Sequence, residues 1–239
     1  MAGKIGFVFD MDGTLINSTE IGDAVGREIN KEFNIQTNEE MEKDIEALIF
    51  KLMEGENRKN LEAKVMWEIF KIMGLNFGQR IKALKIAARV FKEEKKKIKL
   101  FDGVENLFDI LDNNDYTYAI TTTSSTKEAD DRLSKFPNLY KKLKGKIISR
   151  NSVKKMKPHP ESINLASEIM GVPLNRCVMI GDMHTDINMG KAVNAITIGV
   201  LTGIFSREKL QELNPNFILD SVADIPARIE EIKQLIDKN

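Results

Sequence analysis

The stretch IGFVFDMDGTLINS, residues 5–18, is apolar as far as Phe9 and then places two aspartates, Asp10 and Asp12, one residue apart ahead of Gly13-Thr14. Alternate residues of an extended segment point to the same side, so both carboxylates can converge on one spot. Like charges held that close repel, which calls for a cation, a shared proton, or both. An Asx-type turn bending at Gly13 would account for one such aspartate. The pair asks for chemistry.

Three later stretches add polar groups of particular kinds. YAIT runs into Thr122, Thr123, Ser124 and Ser125. Hydroxyls entering a helix usually cap it, and the free N–H groups and dipole there also favour a phosphate. In KKMKPHPESI, Lys157 precedes Pro158, which biases it to an extended backbone, and Pro160 can open a helix. VMIGDMHTDINMG ends on Gly181-Asp182 and adds Asp186 four residues on, a second pair of acids. Carboxylates for a hard cation such as Mg²⁺, hydroxyl and amide donors and one ammonium form a set suited to phosphoryl transfer. An aspartate can then be the attacking group, forming an acyl phosphate. A Walker-type nucleotide loop is absent from the sequence.

These residues need strands that end together. Residues 5–9 are short and apolar throughout, as a strand covered on both faces should be. Residues 116–121, 146–149, 176–181 and 195–200 repeat that character, with helical stretches near 125–135, 160–170 and 185–192 between them. Alternation of this sort predicts an α/β fold, a doubly wound and mainly parallel sheet, whose ligands sit at the carboxyl ends of the strands. The tail offers an edge strand and a helix starting near Pro226. From Thr19 to about Lys99 the pattern is helical instead, interrupting the sheet after its first strand. Four helices are expected there: 20–34, 39–54, one with Leu61, Val65, Ile69, Ile72 and Met73 on its apolar stripe, and one with Ile81, Leu84, Ala88 and Phe91. Lys95, Lys96 and Lys97 are read as the solvated end of the last.

Composition narrows the function. The 239 residues are 42% apolar and 30% charged, as in a soluble globular chain with a sizeable core. Thirty-six basic residues balance thirty-six acidic ones, and three Tyr and one Trp give few stacking platforms, so nucleic acid is not the expected partner. No apolar run reaches membrane-spanning length and the start MAGK is not an export segment, which predicts a cytoplasmic protein. Cys177, the one cysteine, excludes an internal disulfide and is read as a small buried residue; two histidines are too few for an ordinary zinc site.

DMDGT at 10–14, the Thr122 strand end, KPHPE at 157–161 and GDMHTD at 181–186 together resemble, in order, the four motifs of the haloacid dehalogenase superfamily. Within it the likeness is to capped phosphatases of the phosphoglycolate-phosphatase type. The resemblance implies a catalytic core at 1–18 and 100–239 with a helical cap at 19–99. It implies Asp10 as nucleophile and Mg²⁺ ligand, and Asp12 as general acid/base lending its backbone carbonyl to the metal. Thr122, Thr123 and Met11 would bind the phosphoryl group and Lys157 would neutralise it. Asp182 would complete the metal site, with Asp186 supporting through water. Thr123 stands where many relatives carry Asn, and Asn194 where Gly is common, although Asn tolerates a left-handed turn. Dehalogenases of the family generally lack the second aspartate, so Asp12 favours a phosphatase acting on a small phosphorylated metabolite, 2-phosphoglycolate among them, as monomer or homodimer. A phosphomutase, a phosphonatase and a non-catalytic phosphate-binding module remain alternatives.

Overall fold

The computed structural model describes residues 4–53 and 61–238. Expectations that fall on residues 1–3, on residue 54 and on the Leu61 side chain lie outside the described residues. Strand β1 (Gly6–Phe9) is followed by helices α1 (Thr19–Phe33), α2 (Glu39–Met53), α3 (Leu61–Ile72) and α4 (Phe77–Glu94). Next come α5 (Val104–Asn113), β2 (Thr117–Thr121), α6 (Thr126–Leu133), α7 (Pro137–Leu143), β3 (Ile147–Ile148) and α8 (Glu161–Met170). The chain ends through β4 (Cys177–Gly181), α9 (His184–Lys191), β5 (Ile196–Val200), α10 (Arg207–Glu212), β6 (Phe217–Leu219) and α11 (Ile225–Ile236). Contacts divide it into two compact units, one running up to Asn17 and again from Lys99, the other Ser18–Ile98. No helix among the described residues is long and apolar enough to cross a membrane.

The first unit holds a six-stranded parallel sheet of order β3-β2-β1-β4-β5-β6. β1 is wholly buried because it is central and covered on both faces. On one face Val8 joins Ala119 and Met179 beneath Ile163 and Ala166 of α8 and Met189 of α9. On the other, Phe9 packs on Phe108 of α5 with ring centres 5.2 Å apart, and Phe108 meets Tyr118 edge-on at 4.8 Å. Successive strands run outward from β1 to one side and from β4 to the other, so the strand order reverses between these two; such a reversal opens a crevice at the carboxyl ends. Phe9 pairs with Ile120 of β2 and Ile180 of β4, so Asp10, Thr121-Thr122 and Gly181-Asp182 leave the sheet at one level.

Two short helices were not expected: α7, opened by Pro137, and α10 have seven and six residues, too few to display a period. Asn194 adopts the left-handed conformation, φ 56°, that its position before β5 requires. Cys177 is buried in β4.

The second unit contains the four helices expected of that stretch, but two of its buried faces differ from expectation. On α4 the buried residues are Ala83, Ala87 and Val90, whereas Ile81 is 41% exposed and Ala88 also faces out. α4 packs on α1 and α3, and small residues one turn apart let helix backbones approach closely, so Ala83 and Ala87 set the face, with Leu84 of the expected stripe packed half-buried beside them. On α3 and just after it, Ile69 and Met73 join the core as expected, but so do Phe70, which is buried, and Met66, whereas Val65 and Ile72 are not part of that cluster. Asn76 caps α4 in a reciprocal box with Gln79. Lys97 follows the helix and pairs with Glu94 at 2.7 Å in solvent.

Overpacking this helix contact is expected to cost stability. Ala87→Leu should lower the free energy of unfolding by about 1–3 kcal/mol, while Ile81→Ala shifts it by only about 0.5 kcal/mol. Urea titration followed by circular dichroism checks this, and a larger loss for Ile81→Ala than for Ala87→Leu would restore the bulky stripe as the core face.

Candidate active site

Asp10 is the first residue beyond β1, and its N–H still donates to the Ile180 carbonyl at 2.8 Å, so the backbone is fixed where the side chain leaves the sheet. Lys157 reaches it from the segment before α8, across a cis peptide to Pro158. Its Nζ donates to Asp10 Oδ1 at 2.7 Å, Asp186 Oδ1 at 2.7 Å and the Thr121 carbonyl at 2.8 Å. An ammonium has three protons to give, and here each meets an acceptor. Asp186, at the start of α9, accepts the Met183 N–H on its other oxygen at 3.3 Å.

Asp182 completes the group. Its Oδ1 accepts Thr14 Oγ1 at 3.4 Å and its Oδ2 the Ile204 N–H at 3.2 Å. Two glycines make room for it. A Cβ on Gly203 would lie 1.8 Å from Asp182 Oδ2, and one on Gly13, itself left-handed at φ +80°, would lie 2.6 Å from that oxygen. Oxygens of Asp10, Asp182 and Asp186 lie within 4.8 Å of one another, all buried.

Three buried carboxylates facing one ammonium leave negative charge uncompensated. The acids respond as electrostatics demands: burial pushes the Asp10 carboxyl up to about 6, with Lys157 opposing and Asp186 adding to the rise. Burial, and then the charges of Asp10 and Asp186, hold Asp182 well above the usual carboxylate range. For Lys157 burial works against the charged form, but Asp10 and Asp186 outweigh it and raise its pKa. An oxygen-only donor set with surplus negative charge fits a hard divalent cation such as Mg²⁺.

Asp12 departs from one expectation. Its carboxylate is not one of the three that lie within 4.8 Å of one another, and it accepts Ser124 Oγ at 3.2 Å and pairs with Arg132, still near enough for the charge of Asp10 to act on it. The chain turns here: Leu15 and Ile16 both donate to the Met11 carbonyl, so the strand ends at Phe9 and Asp12 sits in a turn. Burial raises Asp12 too; Arg132 opposes that rise and Asp10 adds to it. Thr122 is buried at the end of β2 with Oγ1 accepting the Ser124 N–H at 3.1 Å. Thr123 next to it is half-buried, and Met11 is buried between the two aspartates. The folded chain thus brings Asp10, Lys157, Asp182 and Asp186 into one cluster, with Thr122 on the neighbouring strand end and Asp12 turned to its own partners. Sequence reasoning missed Arg132, Thr14, Gly203 and the Ile204 amide; an arginine in TKEADDRL carries no motif.

The sequence model of the haloacid dehalogenase-like hydrolases matches residues 7–200. The chain is similar to the pyrophosphatase PpaX of Listeria monocytogenes, 29% identical over 234 residues, 97% of this chain and 99% of that one. Among solved structures it is similar to a hydrolase of the same family from Deinococcus radiodurans with bound phosphate and sodium, TM-score 0.72 at 20% identity over 98% of both chains. A predicted phosphoglycolate phosphatase from Haemophilus somnus gives 0.70 at 19% over 95% of this chain and 98% of that one. At such identities these structures speak for the fold alone.

The raised pKa of Asp10 has a consequence for the metal-free protein. A carboxyl whose folded pKa lies above its unfolded value of 3.8 favours folding below that value, and the contribution disappears as pH rises through about 6. Asp10→Asn should therefore flatten the fall of Tm between about pH 4 and pH 7 in chelator-treated protein. Parallel Tm profiles for variant and wild type would show that Asp10 is not strained by its surroundings.

Proposed function

The chain belongs to the haloacid dehalogenase-like hydrolases, and from that premise we propose that it is a Mg²⁺-dependent phosphatase of small phosphorylated metabolites. The observation that carries this reading is the Lys157 ammonium bonded at once to Asp10 and Asp186, with Asp182 beside them. In this reading the core at 1–18 and 100–239 is catalytic, the helical insertion at 19–99 is its cap, and the enzyme works in the cytoplasm. Asp10 and Asp182, with the Asp12 backbone carbonyl, would hold the cation, Asp186 supporting through water. The bound cation supplies charge neutralisation between the anionic nucleophile and the anionic substrate.

The rest is done by the chain. The Asp10 carboxylate attacks phosphorus, the P–O bond to the leaving alcohol breaks, and Asp12 gives that oxygen its proton. An aspartyl-phosphate remains on Asp10. Asp12 then takes a proton from the attacking water, inorganic phosphate departs and Asp10 is regenerated. Lys157 stays fixed by its acceptors and offsets charge at the nucleophile without having to reorganise. The Thr122 hydroxyl and the Thr123 and Met11 amides are assigned to the phosphoryl oxygens.

The name of the sequence relative, a pyrophosphatase, points to a compact phosphorylated substrate. Phosphate release should be abolished by chelator and restored by Mg²⁺ across a panel that includes pyrophosphate and 2-phosphoglycolate. Asp10→Asn should reduce turnover by at least about 10³-fold with the circular dichroism spectrum unchanged. Retention of activity in that variant would remove Asp10 as the nucleophile.

Asp12→Ala should cost about 10²–10⁴-fold on alkyl phosphates and much less on an aryl phosphate with a good leaving group. Equal losses on the two would argue against proton transfer by Asp12.

A further inference from the structure

Arg132 lies in the last turn of α6, 7% exposed. An arginine is rarely buried without a partner. Its Nη1 donates to Asp12 Oδ2 and, at 3.1 Å, to Ser124 Oγ, and Ser124 Oγ donates to the same Oδ2 at 3.2 Å. The three side chains close a ring in which two donors converge on one carboxylate oxygen. Asp12 Oδ1 is left buried with no hydrogen-bond partner among the described residues.

The backbone around Asp12 is set by its own turn, with Gly13 N–H donating to the Ile16 carbonyl at 2.9 Å and Thr202 Oγ1 to the Gly13 carbonyl at 2.7 Å. Those bonds fix where the side chain starts but not its rotamer. Arg132 arrives on a helix that is itself anchored. Ser125 and Glu128 cap it reciprocally, and the Thr126 N–H donates to Asn151 Oδ1 at 3.0 Å. The cation therefore approaches Asp12 from a held position.

From this geometry we propose that Arg132 is a positioning residue: with Ser124 it holds Asp12 in one rotamer by Oδ2, so that the carboxyl keeps one fixed place for proton transfer to the leaving group and from water. The proposal rests on the acid/base role given to Asp12 above. Proton transfer needs the donor within about 2.6–3.2 Å of its target, and a displacement of about 1 Å can cost about 10²-fold. Arg132 touches neither substrate nor the attacked phosphorus in this assignment; its effect passes wholly through Asp12.

The test uses the full chain with Mg²⁺, an alkyl phosphate and 2,4-dinitrophenyl phosphate, whose leaving group needs no proton. Arg132→Met should lower kcat on the alkyl ester about 10²-fold, with little change in KM and little change on the dinitrophenyl ester. Arg132→Lys should recover part of the loss. On the alkyl ester, in an Asp12→Asn background, Arg132→Met should do nothing further. Equal losses on the two esters, or an undiminished effect in the Asp12→Asn background, would overturn the proposal. A readout independent of turnover keeps it falsifiable if Arg132→Met does not fold: in ¹⁵N-arginine-labelled wild type, Arg132 should give a slowly exchanging guanidinium resonance that Asp12→Asn abolishes. A resonance unaffected by Asp12→Asn would overturn it as well. A wild type that hydrolyses neither ester while keeping that resonance would instead refute the phosphatase reading and leave the ion pair standing.

Discussion

The site depends on one buried ammonium. Lys157 spends all three of its protons on Asp10, Asp186 and the carbonyl of Thr121, drawing together the ends of β1 and β2 and the start of α9. Without it three buried carboxylates would face one another with no opposing charge, an arrangement that costs several kcal/mol per ion or forces protonation. With it they are still one cation short. Burial first, and then the repulsion among the acids, raises the pKa of Asp10 and Asp182, and that surplus negative charge suits the cluster to a divalent ion.

The sheet makes the convergence possible. Because β1 lies between β2 and β4 in matched register, residues separated by more than a hundred positions in sequence leave the sheet side by side. Local devices then aim them: the turn after Asp10, the left-handed Gly13, and the absence of a side chain at Gly203 that gives Asp182 its place. Asp12 lies in that same turn and takes Ser124 and Arg132 as partners, whereas Asp10 takes Lys157. The separation suits two different jobs, attack on phosphorus for one and proton transfer for the other.

Much of this was legible in the residues. Short apolar runs ending in Asp10, Thr122 and Asp182 betrayed strands buried on both faces, and burial on both faces implies a parallel sheet with a crevice at its carboxyl edge. Lys157 stood out only through its flanking prolines. What could not be read was whatever depends on side-chain volume or on long-range pairing. The buried face of α4 follows Ala83 and Ala87 because a neighbouring helix comes close, and a pattern search weighted toward large apolar residues selects Ile81 in their place. Nothing in TKEADDRL sets Arg132 apart, because its pairing with Asp12 depends on the fold that carries α6 there. The helices α7 and α10 are too short for their period to register.

The most direct test of the central claim is a crystal structure of the protein with Mg²⁺ and beryllofluoride, a mimic of the bound phosphoryl group. The account predicts beryllium bonded to the Asp10 carboxylate, the cation held by Asp10 and Asp182, and Lys157 still joined to the cluster. Beryllofluoride or Mg²⁺ bound away from these residues, with Asp10 engaged by Lys157 alone, would contradict it.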